Sequence, residues 1–288
     1  MKTVIVDRSD IVITAKKSGI VVETQQIPYR LIDLLVLCGE MEIGTKTLLA
    51  LAKEGVSLLT VSKNNRTFSL TLPLAPKNGE LKMLQYRSVT KNRLNFAKYF
   101  LEEKIKTHAK HLEKLGFEID LRDWMQKIRE AETVSQMLGI EGSFSNIYFS
   151  RYFSVLPKAL HKSRRSKRPP LDPVNAILSY LYTYFYHLIT VRLHMNGFDP
   201  AISYLHEPFR SHNGLSSDIL EVFRAKINEK TAEWFLEKYL KAEDFSKRDG
   251  VYLRFESRKR LWREIKTFGE DLLPSINDEI ALLRSAIT

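Results

Sequence analysis

The residues with the best spacing for chemistry lie near position 220. Asp218 and Glu221 are three residues apart, so they share one face if this segment is helical. Two carboxylates on one face are candidates to carry chemistry. A structural explanation competes with this one, because acidic residues favour helix N-termini and Glu221 can pair with Arg224. Ser216 and Ser217 are good N-cap residues, which predicts Asp218 in a first helical turn. The structural explanation accounts for Asp218 better than for Glu221.

Two other residues could join these acids only through the fold. His206 considered alone is more typical of a structural histidine than of a metal ligand. Glu141 is a single glutamate, for which solvation at the surface is the usual role. Both are too distant in sequence from Glu221 to form a local metal motif such as H-E-x-x-H. The residues alone therefore leave open whether these side chains meet.

The charge balance indicates a polyanionic partner. The 288 residues include 45 Lys plus Arg and 34 Asp plus Glu, which gives a formal net charge of +11. An excess of this size favours nucleic acid first and an anionic membrane surface second. Cys38 is the one cysteine, which excludes an intramolecular disulfide and a zinc site with several cysteines. A buried position in a reducing compartment is expected for it.

The positive charge is concentrated in one segment that contains no acidic residue, between Glu141 and Asp172. Two prolines at 169–170 follow its basic core and favour a loop. The candidate DNA contacts in this loop are Lys162, Arg164, Arg165, Lys167 and Arg168. A solvated charge run explains them equally well. No helix-turn-helix, zinc-finger or RNA-recognition signature accompanies the charge, so recognition of backbone and shape is favoured over base reading.

Two sequence features near this segment carry weaker predictions. A second basic stretch surrounds Trp262 and contains Arg254, Arg258, Lys259, Arg260, Arg263 and Lys266. The aromatic residues that precede the loop are predicted to belong to the core rather than to stack on bases; they are Tyr148, Phe149, Tyr152 and Phe153.

The pattern of apolar residues predicts an α+β protein with a small N-terminal β-rich domain and a larger all-α C-terminal domain. Residues 1–75 alternate in the manner of strands, with one helix capped by Thr45 and ended by Gly55. Proline, asparagine and glycine residues that interrupt regular secondary structure then cluster, which predicts a linker at 76–86. Residues 87–288 follow helical spacing.

Neither a secretory signal nor a membrane span is expected. The apolar run after the first methionine is too short for a signal sequence. The longest largely apolar stretch, 176–191, is interrupted by polar residues and is shorter than the roughly 20 residues that a spanning helix needs. It predicts a buried helix in a cytoplasmic protein.

Taken in order, several motifs resemble one known family. These are Ile-Glu-Gly at 140–142, Arg-Pro-Pro-Leu-Asp-Pro-Val-Asn-Ala at 168–176, Phe-Asp-Pro at 198–200 before Leu-His at 205–206, and Asp-Ile-Leu-Glu at 218–221 with Phe-Arg at 223–224. The sequence is similar to the CRISPR-associated endonuclease/integrase family, the Cas protein numbered one, which inserts new spacers into CRISPR arrays. The resemblance covers nearly the whole chain and implies the same β-then-α architecture.

The resemblance implies a metal site. The family's glutamate, histidine and second acid, which coordinate a divalent metal, correspond to Glu141, His206 and Glu221, with Asp218 as a nearby acid of unassigned role. Two carboxylates and an imidazole suit Mg²⁺ or Mn²⁺. The family's basic and proline-rich segments contact DNA or the partner protein, which supports a role for the loop at 164–168.

The function implied is a metal-dependent DNA endonuclease and integrase. It would join a 3′-hydroxyl to a phosphodiester in the CRISPR repeat, acting on double-stranded and branched DNA. The resemblance further implies a homodimer through the β domain, with dimers bridged by the small Cas protein numbered two. Three alternatives stay open at this point: a related transposon-type integrase, a catalytically silent DNA-binding scaffold, and, more distantly, a membrane-surface protein.

Overall fold

The computed structural model describes residues 2–62, 68–73, 78–207 and 212–288, with the side chain of Phe68 also undescribed. The chain divides into two compact units. The first comprises Met1–Lys77, Met195–Gly197 and Lys259–Asp278, and the second comprises Asn78–His194, Phe198–Arg258 and Glu279–Thr288. The first unit therefore takes residues from three parts of the sequence.

The described residues among the first 77 of this unit form two four-stranded sheets and one α-helix. The strands are β1 (Thr3–Asp7), β2 (Ile11–Lys16), β3 (Gly19–Val22), β4 (Gln25–Pro28), β5 (Leu34–Cys38), β6 (Met41–Ile43), β7 (Ser57–Val61) and β8 (Phe68–Thr71). One sheet has the order β1-β5-β7-β8, with β8 antiparallel to β7 and the other pairs parallel. The other has the order β4-β3-β2-β6, in which only the β2–β6 pair is parallel.

Strand β5 shows why this sequence forms a sheet here. All five of its residues are buried, as expected for a central strand with parallel neighbours on both sides. Gly39 follows it with a φ of +113°, and a Cβ at that position would lie 2.4 Å from the Arg8 carbonyl oxygen. Only glycine fits there without strain. Cys38, at the end of the strand, is buried as predicted.

Helix α1 (Thr45–Lys53) differs slightly from the prediction at its start. Gly44 occupies the N-cap position, so Thr45 is the first helical residue rather than the cap. The hydroxyl of Thr47 instead accepts a hydrogen bond from the Ala15 amide at 3.0 Å, which joins the helix to β2. Gly55 follows the helix with a φ of +72°.

The second unit is built from long helices. They are α2 (Gly79–Lys114), α3 (Leu121–Glu130), α4 (Val134–Ser154), α5 (Pro173–Met195), α6 (Gly214–Leu236) and α7 (Phe255–Ile287), whose middle part belongs to the first unit. A hairpin of β9 (Phe245–Lys247) and β10 (Val251–Leu253) precedes α7. The α+β class is confirmed, while this hairpin means that the C-terminal part is not purely helical.

The predicted linker at 76–86 lies partly outside the described residues, which exclude 74–77. From Gly79 onward the chain is already helical. The Asn78 side chain accepts a hydrogen bond from the Leu81 amide at 3.0 Å, so it caps α2 and begins the helix at this point.

Helix α5 is the buried helix that the stretch at 176–191 predicted, and 15 of its residues are buried. Within the described part of the chain, none of the helices combines the length and apolar character needed to cross a membrane. Three of the four aromatic residues predicted for the core are there, since Tyr148, Tyr152 and Phe153 are almost completely buried, whereas Phe149 is partly exposed.

Candidate metal centre and nucleic-acid interface

Helix α6 carries two buried carboxylates. Asn213 is its N-cap, so the helix starts earlier than Ser216 and Ser217 predicted, and Asp218 is its fifth residue rather than part of the first turn. Asp218 is 0% exposed and Glu221 is 2% exposed. Burial of ionised carboxylates costs free energy unless partners compensate the charge. Neither acid is therefore a solvated residue of a helix terminus, and their partners define the site.

Asp218 holds the segment that carries His206. Its Oδ2 accepts hydrogen bonds from the amides of Tyr204 at 2.7 Å and Leu205 at 3.1 Å. Its Oδ1 accepts from the amide of His206 at 3.0 Å and lies 2.7 Å from Nδ1 of the same residue. In the neutral imidazole, a proton on Nδ1 that is donated to Asp218 leaves the lone pair on Nε2. Asp218 thus fixes both the backbone and the ring of His206.

The charge of Asp218 also changes the acidity of that ring. Burial lowers the pKa of His206, but the hydrogen bond and negative charge of Asp218, with a contribution from Glu221, outweigh burial and raise this pKa above its usual value. Nε2 of His206 lies 3.7 Å from Oε1 of Glu221. The imidazole and the second carboxylate therefore face each other.

Glu221 is surrounded by positive charge. Its Oε1 lies 3.0 Å from an Arg224 guanidinium nitrogen, and its Oε2 lies 2.8 Å from the Lys104 ammonium. Burial raises the pKa of Glu221, yet the charges of Arg224 and Lys104 outweigh burial and hold this pKa far below its usual range. Glu221 is thus ionised at neutral pH.

Glu141 reaches the same point from α4. Its Oε1 accepts hydrogen bonds from the Lys104 ammonium and from the Ser145 hydroxyl, the latter at 2.8 Å. Burial raises the pKa of Glu141, but Lys104 offsets this and the net change is downward. Its side chain is 27% exposed, so this acid forms the solvent-facing part of the cluster. The structure thus brings Glu141, His206 and Glu221 together.

The donor chemistry of this cluster fits a Mg²⁺ or Mn²⁺ ion. Two ionised carboxylates and an imidazole nitrogen are suitable ligands for these cations. Oε2 of Glu221 is buried and, within the described residues, receives no hydrogen bond of normal geometry. The spacing is not that of a ligand set, since no three His, Cys, Asp or Glu side chains among the residues described are arranged to hold an ion. The Lys104 ammonium provides the positive charge between the two acids.

The basic segment forms a loop, as predicted, and precedes α5. Asp172 anchors it by accepting hydrogen bonds from the Lys162 amide at 3.1 Å and from the Asn175 amide at 2.8 Å. The side chains of four predicted DNA contacts are exposed: Lys162, Arg164, Lys167 and Arg168. Partial desolvation of its side chain, together with Arg224 and Arg165, lowers the pKa of Lys167, while Glu221 and Glu141 act in the opposite direction, so this lysine lies close to the cluster.

Arg165 differs from the other residues of this loop. Its guanidinium points into the protein, where it donates to Asn175 Oδ1 at 2.8 Å and to Ser179 Oγ at 3.0 Å. It also lies over the Tyr182 ring, with 5.4 Å between Cζ and the ring centroid. Both terminal nitrogens of the guanidinium hold the loop on α5, so we assign Arg165 a structural role, and the DNA contact at this residue stays a prediction.

Comparison with known proteins identifies the family. The family model described as "CRISPR associated protein Cas1" matches residues 2–267. The chain belongs to the Cas1 family. The resemblance inferred from the motifs is therefore confirmed, and a curated relative agrees with it. "CRISPR-associated endonuclease Cas1 1" of Thermodesulfovibrio yellowstonii is 30% identical over 285 residues, covering 91% of this chain and 89% of the relative.

Solved structures show the same fold. A Cas1 protein from Thermotoga maritima has a TM-score of 0.92 at 20% identity, covering 100% of this chain and 97% of the other. A casposase bound to integration product has a TM-score of 0.85 at 19% identity, covering 99% and 91%. A Cas6-RT-Cas1–Cas2 complex has a TM-score of 0.83 at 19% identity, covering 99% of this chain and 34% of that one.

In this Cas1 protein, Lys104 is the site residue that sequence reasoning missed. A signal for it existed, because Lys104 falls on the face of α2 formed by Leu101, Ile105 and His108, all of them buried. A lysine in register with an apolar face needs a buried counter-charge. The pairing of Glu221 with Arg224 was expected from their spacing and is present.

Proposed function

We propose that this Cas1 protein is a divalent-metal-dependent DNA endonuclease and integrase. It inserts spacer DNA into a CRISPR array by attack of a 3′-hydroxyl on a phosphodiester. The observation that carries the proposal is the meeting of three side chains: Glu141 from α4 and Glu221 from α6 share the buried Lys104 ammonium, and His206 faces Glu221 at 3.7 Å. The fold shared with a casposase bound to integration product supports the reaction class.

Each residue of the site has a separate role in this proposal. Glu141, His206 and Glu221 would hold Mg²⁺ or Mn²⁺, which when bound lowers the pKa of the attacking hydroxyl or water and neutralises charge on the phosphate. Asp218 orients the imidazole of His206, as carboxylates commonly do for ligating histidines. Arg224 holds Oε1 of Glu221, whereas Lys104 contacts Oε2. With a 3′-hydroxyl as attacking group the outcome is strand transfer, and with water it is nicking.

Positioning of DNA is assigned to the basic loop. Lys162, Arg164, Lys167 and Arg168 present exposed charge, and Lys167 lies close enough to Glu221 and Glu141 to feel their charges. Phosphate contacts of this kind fix the register of a duplex without reading its sequence. Phosphoryl transfer requires mainly positioning and electrostatic stabilisation, so the mechanism requires no covalent protein nucleophile.

The partners in this proposal are double-stranded and branched DNA, a second copy of the chain and the small Cas protein numbered two. A fold shared with one chain of a Cas6-RT-Cas1–Cas2 complex supports the last of these. Dimerisation through the N-terminal sheets follows from the family resemblance.

A second function is favoured by one observation. The Lys104 ammonium pairs with Glu141 and Glu221, the two acids that would bind the metal ion of an enzyme. In a DNA-binding scaffold without catalytic activity, these ion pairs would be permanent. The two functions differ in what happens when a metal ion and a substrate are supplied.

The test compares wild type with Glu141→Ala and His206→Ala on a branched DNA with a free 3′-hydroxyl, with Mg²⁺ or Mn²⁺ and with or without the partner protein. We expect metal-dependent strand transfer that both substitutions abolish while DNA affinity is retained. Glu237→Ala, an exposed glutamate at the end of α6, is the matched control, and circular dichroism verifies folding. DNA binding without transfer by the wild type would support the scaffold instead.

A further inference from the structure

Lys104 is the most deeply buried cation in contact with the acids of the candidate site. Its side chain is 3% exposed. It extends from the face of α2 that carries Leu101 and Ile105, both 0% exposed, and α2 packs against α4 and α6. The Lys104 side chain therefore reaches the acids through an apolar interface between helices rather than from solvent.

The ammonium forms ion pairs with both acids. Within the described residues, Nζ pairs with Oε1 of Glu141 and with Oε2 of Glu221. An ammonium has three hydrogens to donate and no acceptor capacity. Because burial penalises all three charges, their mutual attraction sets the orientation of both carboxylates. Each acid thus turns one oxygen toward Lys104.

This arrangement conflicts with metal binding by the same oxygens. A divalent ion coordinates carboxylate oxygens at about 2.0–2.2 Å and would lie next to the ammonium, where like charges repel strongly in a buried environment. The spacing of the acids agrees with this conflict, since within the described part of the chain no three ligating side chains are arranged to hold an ion. Arg224, 3.0 Å from the other oxygen of Glu221, adds to the positive surroundings.

We propose that Lys104 is an internal competitor for the metal: its ammonium occupies the position between Glu141 and Glu221 and must leave before a divalent ion binds there. The inference rests on the proposed metal-dependent function and adds a control of metal affinity to it. In the absence of DNA the protein binds the metal weakly, because each ion must displace a charge that is already paired with both acids.

The experiment measures binding of Mn²⁺ alone, by electron paramagnetic resonance of the free ion, to full-length protein without DNA. Lys104→Met removes the charge and keeps most of the volume. We expect the dissociation constant for Mn²⁺ to fall by at least about tenfold, since a like charge beside the ion is removed. Lys104→Gln, which keeps a hydrogen-bond donor, should show the same direction and serves if the methionine variant does not fold.

Lys114→Met is the matched control. Lys114 lies on the same helix and pairs with Glu229 at 2.6 Å, but this ion pair is exposed and should leave Mn²⁺ binding unchanged. Adding Glu141→Gln to Lys104→Met should cancel the increase in affinity. If the increase persists in that double variant, the ion binds elsewhere and the proposal is overturned.

An unchanged or weaker Mn²⁺ affinity in folded Lys104 variants also overturns the proposal, because it would make Lys104 a support for the ligands. The outcome is independent of the strand-transfer assay. If the Lys104 variants bind Mn²⁺ more tightly but the wild type shows no strand transfer, Lys104 competes with the metal and the proposed integrase function is wrong. If the wild type shows strand transfer but the variants bind Mn²⁺ no more tightly, the integrase function stands and the competition by Lys104 is wrong.

Discussion

A single carboxylate, that of Asp218, connects the backbone and the chemistry of the candidate site. It accepts hydrogen bonds from three successive amides, those of Tyr204, Leu205 and His206, and also contacts the His206 ring. The sequence left Asp218 without a role. The structure shows that it positions His206, which explains why an acid that is fully buried remains compatible with a stable fold.

Replacement of Asp218 by Asn tests this role. The substitution removes the charge and hydrogen bond that raise the pKa of His206, while burial continues to lower it. We therefore expect the pKa of His206 to fall, as measured by NMR titration of the metal-free protein. Strand-transfer activity and Mn²⁺ affinity should fall by about 10–100-fold. Asp123→Asn, an exposed acid on α3 that pairs with Lys127, is the control. An unchanged His206 pKa would contradict the assignment.

Glu221 predicts how acid affects stability. Its pKa is lowered in the folded state relative to the value of 4.5 for a free glutamate, so its ionised form contributes stability above about pH 4.5, and this contribution shrinks as the pH falls further. At pH 7, Glu221→Gln should reduce the free energy of unfolding by about 3–5 kcal/mol, because Lys104 and Arg224 lose a buried partner.

Urea denaturation at pH 7 and at pH 3 measures this effect. The difference in the free energy of unfolding between wild type and Glu221→Gln should be smaller at pH 3. The exposed Glu237 provides the comparison, and Glu237→Gln should differ little from wild type at either pH. A difference for Glu221→Gln that is constant with pH would show that Glu221 has no depressed pKa.

At the scale of elements, the first half of α2 supports the segment that carries His206. Gln85 is fully buried, and its amide donates to the carbonyl oxygens of Asp199 at 2.9 Å and Ile202 at 3.1 Å. It also accepts from the Asp199 amide at 2.9 Å. Arg93 donates to the Tyr204 carbonyl at 2.9 Å, one residue beyond Asn92, whose φ of −130° kinks the helix. The segment is thus clamped at both of its ends.

Gln85→Met should loosen this clamp while nearly preserving volume. Removal of three buried hydrogen bonds should lower the free energy of unfolding by about 1–3 kcal/mol. Backbone amides at 204–206 should exchange faster with deuterium, and strand transfer should fall with DNA affinity unchanged. Gln126→Met, at an exposed position of α3, should stay within about 0.5 kcal/mol of wild type. Unchanged exchange at 204–206 would exclude the clamp.

The sequence predicted elements better than the contacts between them. Strand β5 and helix α5 were predictable because a largely apolar run has few alternatives to burial. The starts of α1 and α6 were misplaced by one to several residues, because their N-cap residues, Gly44 and Asn213, do not cap the helix through a side-chain hydrogen bond. Lys104 and the inward orientation of Arg165 depend on packing between distant helices, which local spacing does not contain.

At the scale of the whole molecule, the net charge of +11 is arranged so that one loop presents several exposed cations. In this loop Lys162, Arg164, Lys167 and Arg168 are accessible, whereas Arg165 is engaged with Asn175 and Ser179. Overall charge alone predicts that all cations contribute equally to DNA binding. The structure predicts that they do not.

Alanine substitution of the four exposed cations should reduce the salt dependence of duplex binding, by about 0.9 in the logarithmic slope for each phosphate that the loop no longer neutralises. Fluorescence anisotropy across a KCl series measures this slope. Arg165→Ala should instead destabilise the fold and leave the slope unchanged. A control with the same change in charge replaces Lys16, Lys17, Lys46 and Lys53, exposed residues of the first unit. An equal reduction of the slope in the control would contradict a localised interface.

The division of the first unit among distant parts of the chain has a consequence for biosynthesis. Its sheets are complete within the first 77 residues, but Lys259–Asp278 also belong to it, and Trp262 donates a hydrogen bond to Asp7 at 2.9 Å. About 180 residues separate these parts, which a ribosome translating roughly 5–20 residues per second needs about 10–40 s to add. During this interval the nascent sheets wait without their final helix, with strand edges open to wrong pairing. The demand for chaperones should therefore last from the emergence of the sheets until Lys259–Asp278 have been synthesised.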